Sequence, residues 1–103
     1  MLLVLTTFPD LESARAVAGR LLDERLAACV SLMSAVESHY EWEGERQCAT
    51  EVPVLIKTSE EAYGRMEDRL REWHPYEVPE IVAVASARVL ERYAAWVREM
   101  TPG

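Results

Sequence analysis

The side chains that could bind a transition metal are few in this sequence. Among its 103 residues there are two cysteines and two histidines, and thiolate and imidazole are the ligands that copper and zinc prefer. None of them forms a close-spaced ligand motif such as Cys-x-x-Cys or a histidine pair four residues apart, so any metal site must be assembled across strands or across subunits. The candidates are Cys29, His39, Cys48 and His74, with Glu51 and Glu80 as harder carboxylate ligands.

His39 and Cys48 are the two candidates that a hairpin could bring together. Residues 43–45 carry a turn signal between two strand-like segments, which predicts an antiparallel hairpin. If the turn centres on Gly44, Cys48 lies opposite residues 39–41. The two side chains could then be cross-strand neighbours and form an adventitious copper or zinc site. The alternative is a solvated strand edge, because a slip of one residue would put them on opposite faces.

Cys29 has a different setting, among small apolar residues. Its neighbours Ala27, Ala28 and Val30 favour a buried thiol that behaves as a small hydrophobe, and a metal ligand is the alternative. Cys29 is about ten residues away from the residues opposite Cys48 along the same strand. At the rise of a strand, this separation is roughly 33 Å. An intramolecular disulfide is therefore not expected, and both cysteines are predicted to be free thiols.

His74 precedes a proline and Tyr76 at the predicted end of a helix. Its imidazole can hydrogen-bond the last carbonyls of that helix, and metal or ligand binding is the functional alternative. Paired with Glu80, it could also serve as an acid and base in catalysis. The chain has no Gly-rich phosphate loop, no nucleophile elbow and no ligand spacing of a metallohydrolase, so we do not predict an enzyme.

Hydrophobic periodicity predicts three helices around these side chains. One helix starts at Leu11, a second runs from a Thr58-x-x-Glu61 capping box to His74, and a third is capped by Ser86. The expected inward residues are Leu11, Ala14, Ala18, Leu21 and Leu22 in the first helix, Ala62, Met66, Leu70 and Trp73 in the second, and Leu90, Tyr93, Trp96, Val97 and Met100 in the third.

Apolar runs and period-two alternation predict the strands. Met1–Thr7 and Val78–Ala85 are predicted to be buried strands, and the hairpin consists of a long strand and a second strand over Thr50–Lys57. Pro53 lacks an N–H donor, so its strand should be an edge, contain a bulge or lie where the ladder breaks. The apolar residues of the long strand that share one parity, and therefore one face, are Val30, Leu32, Val36, Tyr40 and Trp42.

The order of these elements is strand, helix, strand, strand, helix, strand, with an added helix. It predicts an α+β fold of the ferredoxin-like βαββαβ type, with a C-terminal extra helix and a long hairpin, in one domain over residues 1–103. Such a sheet has one open face, so the apolar side of the hairpin needs a second cover, for which another subunit is the economical answer. Tyr40 and Trp42 are the expected interface residues.

The charge balance argues against several kinds of partner. Eleven basic and eighteen acidic side chains give a formal net charge of -7, which repels nucleic acid. No apolar run approaches the roughly 20 residues that span a bilayer, and the start of the chain lacks the pattern of a signal peptide. We therefore expect no nucleic-acid partner, no membrane association and a cytoplasmic location in which the cysteines stay reduced.

Five separate pieces of the sequence resemble the CutA family of divalent-cation tolerance proteins. Their order and spacing agree from Thr6 to Trp96, and five pieces in register are far more specific than one. Pro53 and Cys48 depart from the family pattern. The matching pieces are ERLAACV (24–30), YEWEG (40–44), Glu51 with LIKT (55–58), HPY (74–76) with VPE (78–80), and Tyr93 with Trp96.

The resemblance implies a ferredoxin-like subunit that assembles into a tight trimer through its hairpins, similar to the PII signalling proteins. It also implies the binding of divalent cations, copper above all with zinc as the other candidate, and a role in metal tolerance or homeostasis. No enzymatic reaction comes with the family. The alternative function is a PII-like sensor trimer that binds a small anionic ligand between its subunits through Lys57 and His74.

The resemblance also points to particular residues. Cys29 occupies the Ala-Ala-Cys-Val segment that relatives share, which makes it the leading candidate for a metal ligand. A second group of residues is placed near an intersubunit cleft that could hold a metal or a small anion. The residues so implied are Glu51, Lys57, His74, Tyr76 and Glu80.

Overall fold

The sheet of this protein is built around one long strand near the middle of the chain. A computed structural model describes all residues from 1 to 103 and contains five strands and three helices. All strand pairs are antiparallel. The elements in chain order are β1 (Leu2–Phe8), α1 (Leu11–Asp23), β2 (Cys29–Leu32), β3 (Val36–Trp42), β4 (Glu45–Thr58), α2 (Glu60–Trp73), β5 (Val82–Ala85) and α3 (Glu91–Met100).

The long strand β4 pairs with three others. β1 lies along the C-terminal half of β4 on one side, and β5 lies beyond β1 at the edge of the sheet. On the other side, β2 pairs with the end of β4, and β3 pairs with its beginning to form the hairpin. If β2 and β3 are taken as one interrupted strand, the order is βαββαβ with an added helix. The prediction of a ferredoxin-like α+β fold is confirmed.

Helices α1 and α2 cover one face of this sheet and form the core with it. The predicted Met66 and Leu70 of α2 are fully buried. The predicted stripe of α1 is partly wrong, because Val17 is buried while Leu11 and Leu22 are exposed. The buried face of a helix follows a spacing of three and four residues, and Leu11 and Leu22 lie at its margins. The sheet contributes Val4, Phe8, Val52, Val54 and Ile56 to this core.

A one-residue bulge separates β2 from β3 and reverses the faces of the long strand. Leu32 pairs with Val54, whereas Val36 pairs with Glu51, so four steps along one strand pass opposite three along β4. Leu32 and Val30 therefore pack against the helix side, while Val36 shares the open face with Glu51. The prediction of one continuous apolar face is wrong, because a shift of one residue moves every later side chain to the other face.

Pro53 lies opposite this bulge. Its carbonyl accepts a hydrogen bond from the N–H of Met33, and its own nitrogen points to the same side of the strand. Residues 33–35 separate β2 from β3 there, so no ladder hydrogen bond is needed from that nitrogen. On its other side Pro53 pairs with Thr7 of β1. Of the three alternatives predicted for Pro53, the structure shows a bulge and a break in the ladder on the side of β2 and β3, while the ladder with β1 continues through Pro53.

The turn of the hairpin forms where the sequence predicts it. Glu43 and Gly44 have positive φ angles of 51° and 80°. A two-residue turn with both φ angles positive matches the right-handed twist of the flanking strands. Gly44 adopts this conformation without the steric cost of a Cβ atom. The turn sets the register of the hairpin, in which His39 lies opposite Cys48.

The N-cap residue of helix α2 lies one position later than predicted. Ser59, and not Thr58, is the N-cap residue, and its hydroxyl accepts a hydrogen bond from the N–H of Ala62. The Thr58 hydroxyl instead donates to the carbonyl of Leu26. The helix ends before His74, as the following proline predicts.

The C-terminal part of the chain differs from the prediction in β5 and α3. β5 is shorter than Val78–Ala85 and is exposed along its length, because it is an edge strand that pairs only with β1. Ser86 caps no helix, since α3 begins later, at Glu91. Of the predicted inward stripe of α3, only Val97 is buried. None of the helices has the length and apolar character needed to cross a membrane.

Candidate functional site

A cleft of about 790 Å³ lies between the hairpin and the turn that follows α2. We call it the hairpin cleft. Its walls come from the end of β1, from β3 and β4, and from residues 75–80. Three glutamates line it, and no lysine or arginine does. The side chains that matter for its chemistry are Tyr40, Trp42, Glu51, Tyr76, Glu77 and Glu80.

Glu51 is the most extensively hydrogen-bonded carboxylate of the hairpin cleft. Its Oε2 accepts hydrogen bonds from the Thr7 hydroxyl at 3.0 Å and from the Tyr76 hydroxyl at 2.9 Å. Partial burial acts to raise the pKa of Glu51, but hydrogen bonds from Ser38, Tyr76 and Thr7 outweigh it and hold the pKa below its ordinary value. Burial and the adjacent carboxylate raise the pKa of Tyr76, which keeps its hydroxyl protonated as a donor. Glu51 therefore carries a negative charge at neutral pH.

His74 is a buried side chain next to this cleft, with 7% of its surface exposed. Its ring stacks on Phe8, with the ring centroids 4.4 Å apart. Nε2 donates to the carbonyl of Thr7 at 2.8 Å, and Nδ1 accepts from the N–H of Tyr76 at 3.1 Å. Burial lowers the pKa of His74, more strongly than the hydrogen bond to Thr7 and the charge of Glu51 raise it. The ring is therefore neutral, and both of its nitrogens are occupied.

This geometry makes His74 a residue that positions the turn. The ring contacts the Thr6 hydroxyl and hydrogen-bonds Thr7 and Tyr76, and it does not reach the last carbonyls of α2 as its predicted capping role requires. The backbone N–H of His74 makes that contact instead, by donating to the carbonyl of Leu70. Glu80 lines the hairpin cleft and makes no hydrogen bond with His74, so the pair does not form an acid and base arrangement. A metal could bind His74 only after one of its present hydrogen bonds had broken.

Cys29 and Lys57 form a separate group, away from the hairpin cleft. They lie opposite each other on β2 and β4, where Lys57 Nζ donates to Ser31 Oγ at 2.6 Å and lies 3.6 Å from Cys29 Sγ. Lys57 is six residues beyond Glu51 on β4, which is about 20 Å at the rise of a strand. Within one chain, the structure therefore does not bring Lys57 or Cys29 to the other predicted residues of the cleft.

His39 and Cys48 are cross-strand partners, and this part of the prediction is confirmed. They lie opposite each other in the hairpin, and Cys48 Sγ is 3.8 Å from His39 Nε2. Glu37 adds a carboxylate on the same face, with its Oε1 2.6 Å from His39 Nε2. The three possible ligand atoms all lie within 4.8 Å of one another, and all three residues are exposed. We call Glu37, His39 and Cys48 the hairpin cluster.

Glu37 is the member of this cluster that the sequence analysis missed. The available signal was its spacing of two residues from His39, which places both side chains on one face of a strand. Desolvation raises the pKa of the Cys48 thiol, and the charge of Glu37 raises it further. A thiolate beside this carboxylate is therefore disfavoured unless a cation lies between them.

The apolar side of the hairpin points away from the hairpin cluster. Tyr40 and Trp42 alternate with His39 along β3 and therefore lie on the opposite face of the strand. They are 45% and 50% exposed. This open face of the sheet carries further exposed apolar residues, so it lacks a cover within one chain. These are Val36, Val82 and Val84.

Comparison with known proteins gives one consistent family. Residues 2–100 match the family model described as CutA1 divalent ion tolerance protein. The divalent-cation tolerance protein CutA of Thermus thermophilus is 43% identical over 98 residues, which are 95% of each chain. The protein of the same description from Pyrococcus horikoshii is 42% identical over 101 residues, which are 98% of each chain.

Solved structures agree with these relatives. The crystal structure of CutA1 from Pyrococcus horikoshii covers 100% of both chains with a TM-score of 0.94 at 40% identity. The structure of CutA from Archaeoglobus fulgidus has a TM-score of 0.93 at 34% identity and covers 98% of this chain and 99% of that one.

The Archaeoglobus fulgidus structure corrects the expected location. It is described as that of a periplasmic divalent cation tolerance protein, and this contradicts the prediction of a cytoplasmic location. The prediction had relied on the lack of a signal-peptide pattern and of a long apolar run, and these features do not determine where a folded domain works. The free state of the two cysteines has a separate cause in the structure. The partner of Cys29 on β4 is nine residues from Cys48, roughly 30 Å at the rise of a strand, and this distance prevents a disulfide.

Proposed function

Because this chain belongs to the CutA1 divalent ion tolerance family, we propose that it serves metal tolerance by binding divalent cations as a homotrimer. Copper is the principal ion in this proposal, and zinc is the other. Family membership supports the role in tolerance. The side chains of this chain must supply the binding, and the shape of its hairpin must supply the assembly.

The observation that carries the proposal is the charge of the polar surfaces. The hairpin cleft presents Glu51, Glu77 and Glu80 without a basic side chain, and the hairpin cluster places Glu37 beside an imidazole and a thiol. Carboxylates attract cations and repel anions. A carboxylate, an imidazole and a thiol together suit borderline-soft divalent cations such as copper and zinc.

The five side chains proposed as metal ligands differ in how readily they can bind. His39 and Cys48 are exposed and adjacent, and Glu80 offers a carboxylate in the hairpin cleft. Cys29 must compete with a neighbouring ammonium group, and His74 must give up a hydrogen bond. We therefore rank His39 and Cys48 first, Glu80 next, and Cys29 and His74 last.

The uncovered apolar surface supports the trimer. The molecule is elongated, measuring 45 × 26 × 22 Å, and the aromatic rings of Tyr40 and Trp42 are half-exposed on its hairpin. Removing apolar surface from water stabilises an assembly by about 25 cal/mol per Å². A closed ring of identical subunits covers every copy of such a surface. Tyr40 and Trp42 are the proposed contact residues.

A sensor for a small anion is the weaker alternative. An anion that entered the hairpin cleft would meet three carboxylates. Lys57 lies elsewhere and is hydrogen-bonded to Ser31, and His74 is neutral. Saturable binding of an anion that is abolished by both Lys57→Ala and His74→Gln would reverse this ranking.

Native mass spectrometry of the reduced protein, with and without copper(II) or zinc(II), tests the proposal. We expect a trimer that retains a whole number of metal ions per subunit on dilution. Magnesium is the control ion, and it should not be retained, because it prefers oxygen ligands and keeps several of its waters. A trimer that takes up no copper or zinc above non-specific background contradicts the metal-binding function. A monomer contradicts the assembly.

A further inference from the structure

The spacing of the hairpin cluster is close to that of a metal site. Zinc bonds of about 2.0–2.1 Å to nitrogen and oxygen and about 2.3 Å to sulfur place tetrahedral ligand atoms about 3.3–3.6 Å apart. Cys48 Sγ and His39 Nε2 are 3.8 Å apart, and all three ligand atoms lie within 4.8 Å of one another. Small side-chain rotations, together with a widening of the contact between Glu37 and His39, would complete the geometry.

The backbone presets this arrangement. His39 and Cys48 lie opposite each other in the ladder, and Glu37 lies one step along on the same face. The two-residue turn at Gly44 fixes the register that makes them neighbours. Because the ligands lie on paired strands, little backbone order has to be gained when an ion binds.

The present contacts of these side chains oppose metal binding only weakly. The contact between Glu37 and His39 is short, at 2.6 Å, but both side chains are largely exposed. An exposed contact between polar side chains, charged or not, contributes at most about 1 kcal/mol. The next cross-strand pair on this face joins Glu41 to Arg46, so the positive charge of Arg46 has a carboxylate opposite it.

We propose that Glu37, His39 and Cys48 bind one zinc ion, or another borderline-soft divalent cation, per chain. Three protein ligands leave the fourth tetrahedral position to water or a small ligand. The site lies on the face of β3 opposite Tyr40 and Trp42, so metal binding and assembly through those aromatic residues do not compete. The proposal specifies one place where a divalent cation binds, and it rests to that extent on the proposed function.

Cobalt(II) and zinc(II) are the probes that test this site in the full-length reduced protein. Cobalt(II) bound to a thiolate gives a charge-transfer absorption band that cobalt bound only to nitrogen and oxygen lacks. We expect this band in the wild type and in Glu41→Gln, a control that changes the carboxylate one step along the same face, and its loss in Cys48→Ser. Cys29→Ser tests the alternative position of the metal on β2. Zinc affinity is measured in competition with a chromophoric chelator. Loss of a hydrogen bond that only supports a metal ligand weakens binding by about tenfold or more. His39→Ala, Glu37→Gln and Cys48→Ser each remove a ligand itself, so each should weaken zinc binding by more than about tenfold.

The outcomes separate this site from the general function. If the wild type and the three cluster variants bind zinc with equal affinity, the site is wrong and the proposed function stands. If the cobalt band disappears in Cys29→Ser and persists in Cys48→Ser, the metal lies on β2 and the site is also wrong. If the wild type binds neither zinc nor cobalt in whole-number amounts, both proposals fail.

Discussion

His74 and His39 are the same type of residue in opposite settings. His74 is buried against Phe8 with both ring nitrogens hydrogen-bonded, whereas His39 is exposed with a thiol and a carboxylate beside its Nε2. An imidazole binds a metal through a free lone pair, so solvent access and neighbours decide its role. His74 holds the turn after α2, and His39 is the better candidate for a metal ligand.

The buried setting of His74 should make the stability of the protein depend on pH. The pKa of His74 is lowered in the folded chain from the ordinary 6.5, so below that value the unfolded chain binds more protons than the folded chain. We expect the free energy of unfolding to fall as the pH drops from about 7.5 to about 5.5, with a slope of at most about 1.4 kcal/mol per pH unit for this group. Urea denaturation at a fixed protein concentration measures it.

His74→Gln is the control for this dependence. Glutamine can still donate to the carbonyl of Thr7, but it does not titrate, so the pH dependence should flatten over the same range. A wild type whose stability rises or stays constant as the pH falls contradicts the assignment of a buried neutral imidazole.

The hydrogen bond from Tyr76 to Glu51 should contribute measurably to stability. Tyr76→Phe removes one donor to the Glu51 carboxylate and should lower the free energy of unfolding by about 1 kcal/mol. Tyr63→Phe is the matched control, since it removes a single, partly buried tyrosine bond to Glu67 one turn along α2, and the loss of such a contact within one helix should cost about 0.5 kcal/mol or less. If urea denaturation shows the same loss of unfolding free energy in both variants, the bond from Tyr76 to Glu51 contributes no more than the bond within α2.

At the scale of elements, the hairpin decides which side chains meet. Its turn gives the register that joins His39 to Cys48, and the bulge between β2 and β3 sends the aromatic residues to the open face. Without this bulge, Tyr40 and Trp42 would lie on the same side as the helices. The interface proposed for assembly therefore depends on the bulge, and the hairpin cluster depends on the turn.

Adding a single methyl group at Gly44 of the turn should destabilise the protein. Gly44 has a φ of 80°, so Gly44→Ala should lower the free energy of unfolding by about 1–2 kcal/mol. Gly64 of α2 has open space around its Cα, so Gly64→Ala should raise it by about 0.5–1 kcal/mol through helix propensity. Thermal and urea unfolding of both variants provide the comparison. A Gly44→Ala variant as stable as the wild type contradicts the proposed role of the turn.

Local patterns in the sequence were sufficient for the element order and the turn, and they placed Cys48 opposite residues 39–41, among which the structure selects His39. They failed where long-range contacts decide. The bulge inserts one residue without any change in the apolar alternation, so the parity of the long strand predicted one face where the structure has two. The exposure of β5 follows from its place at the sheet edge. Lys57 and Glu51 lie apart along β4, as their spacing requires, and the resemblance brings them near each other only at a cleft between subunits.

At the scale of the whole molecule, the hairpin separates two kinds of surface. One face carries the ligands of the hairpin cluster, and the other carries the exposed rings of Tyr40 and Trp42. An overall formal charge of -7 adds a general attraction for cations. The proposed assembly therefore uses one face of the hairpin, and the proposed metal site uses the other.

Charge placed on the apolar face should dissociate the proposed trimer. The double variant Tyr40→Glu and Trp42→Glu would bury two carboxylates in the interface, so we expect a monomer in size-exclusion chromatography with light scattering. Glu41→Gln, which lies on the opposite face of the same strand, should leave the mass unchanged. An unchanged trimer in the double variant excludes this face as the interface.

Anomalous X-ray diffraction at the zinc absorption edge, from crystals of the reduced protein grown with zinc, would locate the metal proposed to bind at the hairpin cluster. We expect an anomalous peak within bonding distance of Glu37, His39 and Cys48 in every chain, at about 2.0–2.3 Å from the ligand atoms. An anomalous map with no peak at the hairpin cluster, or with its only peaks beside Cys29 or in the hairpin cleft, contradicts the claim.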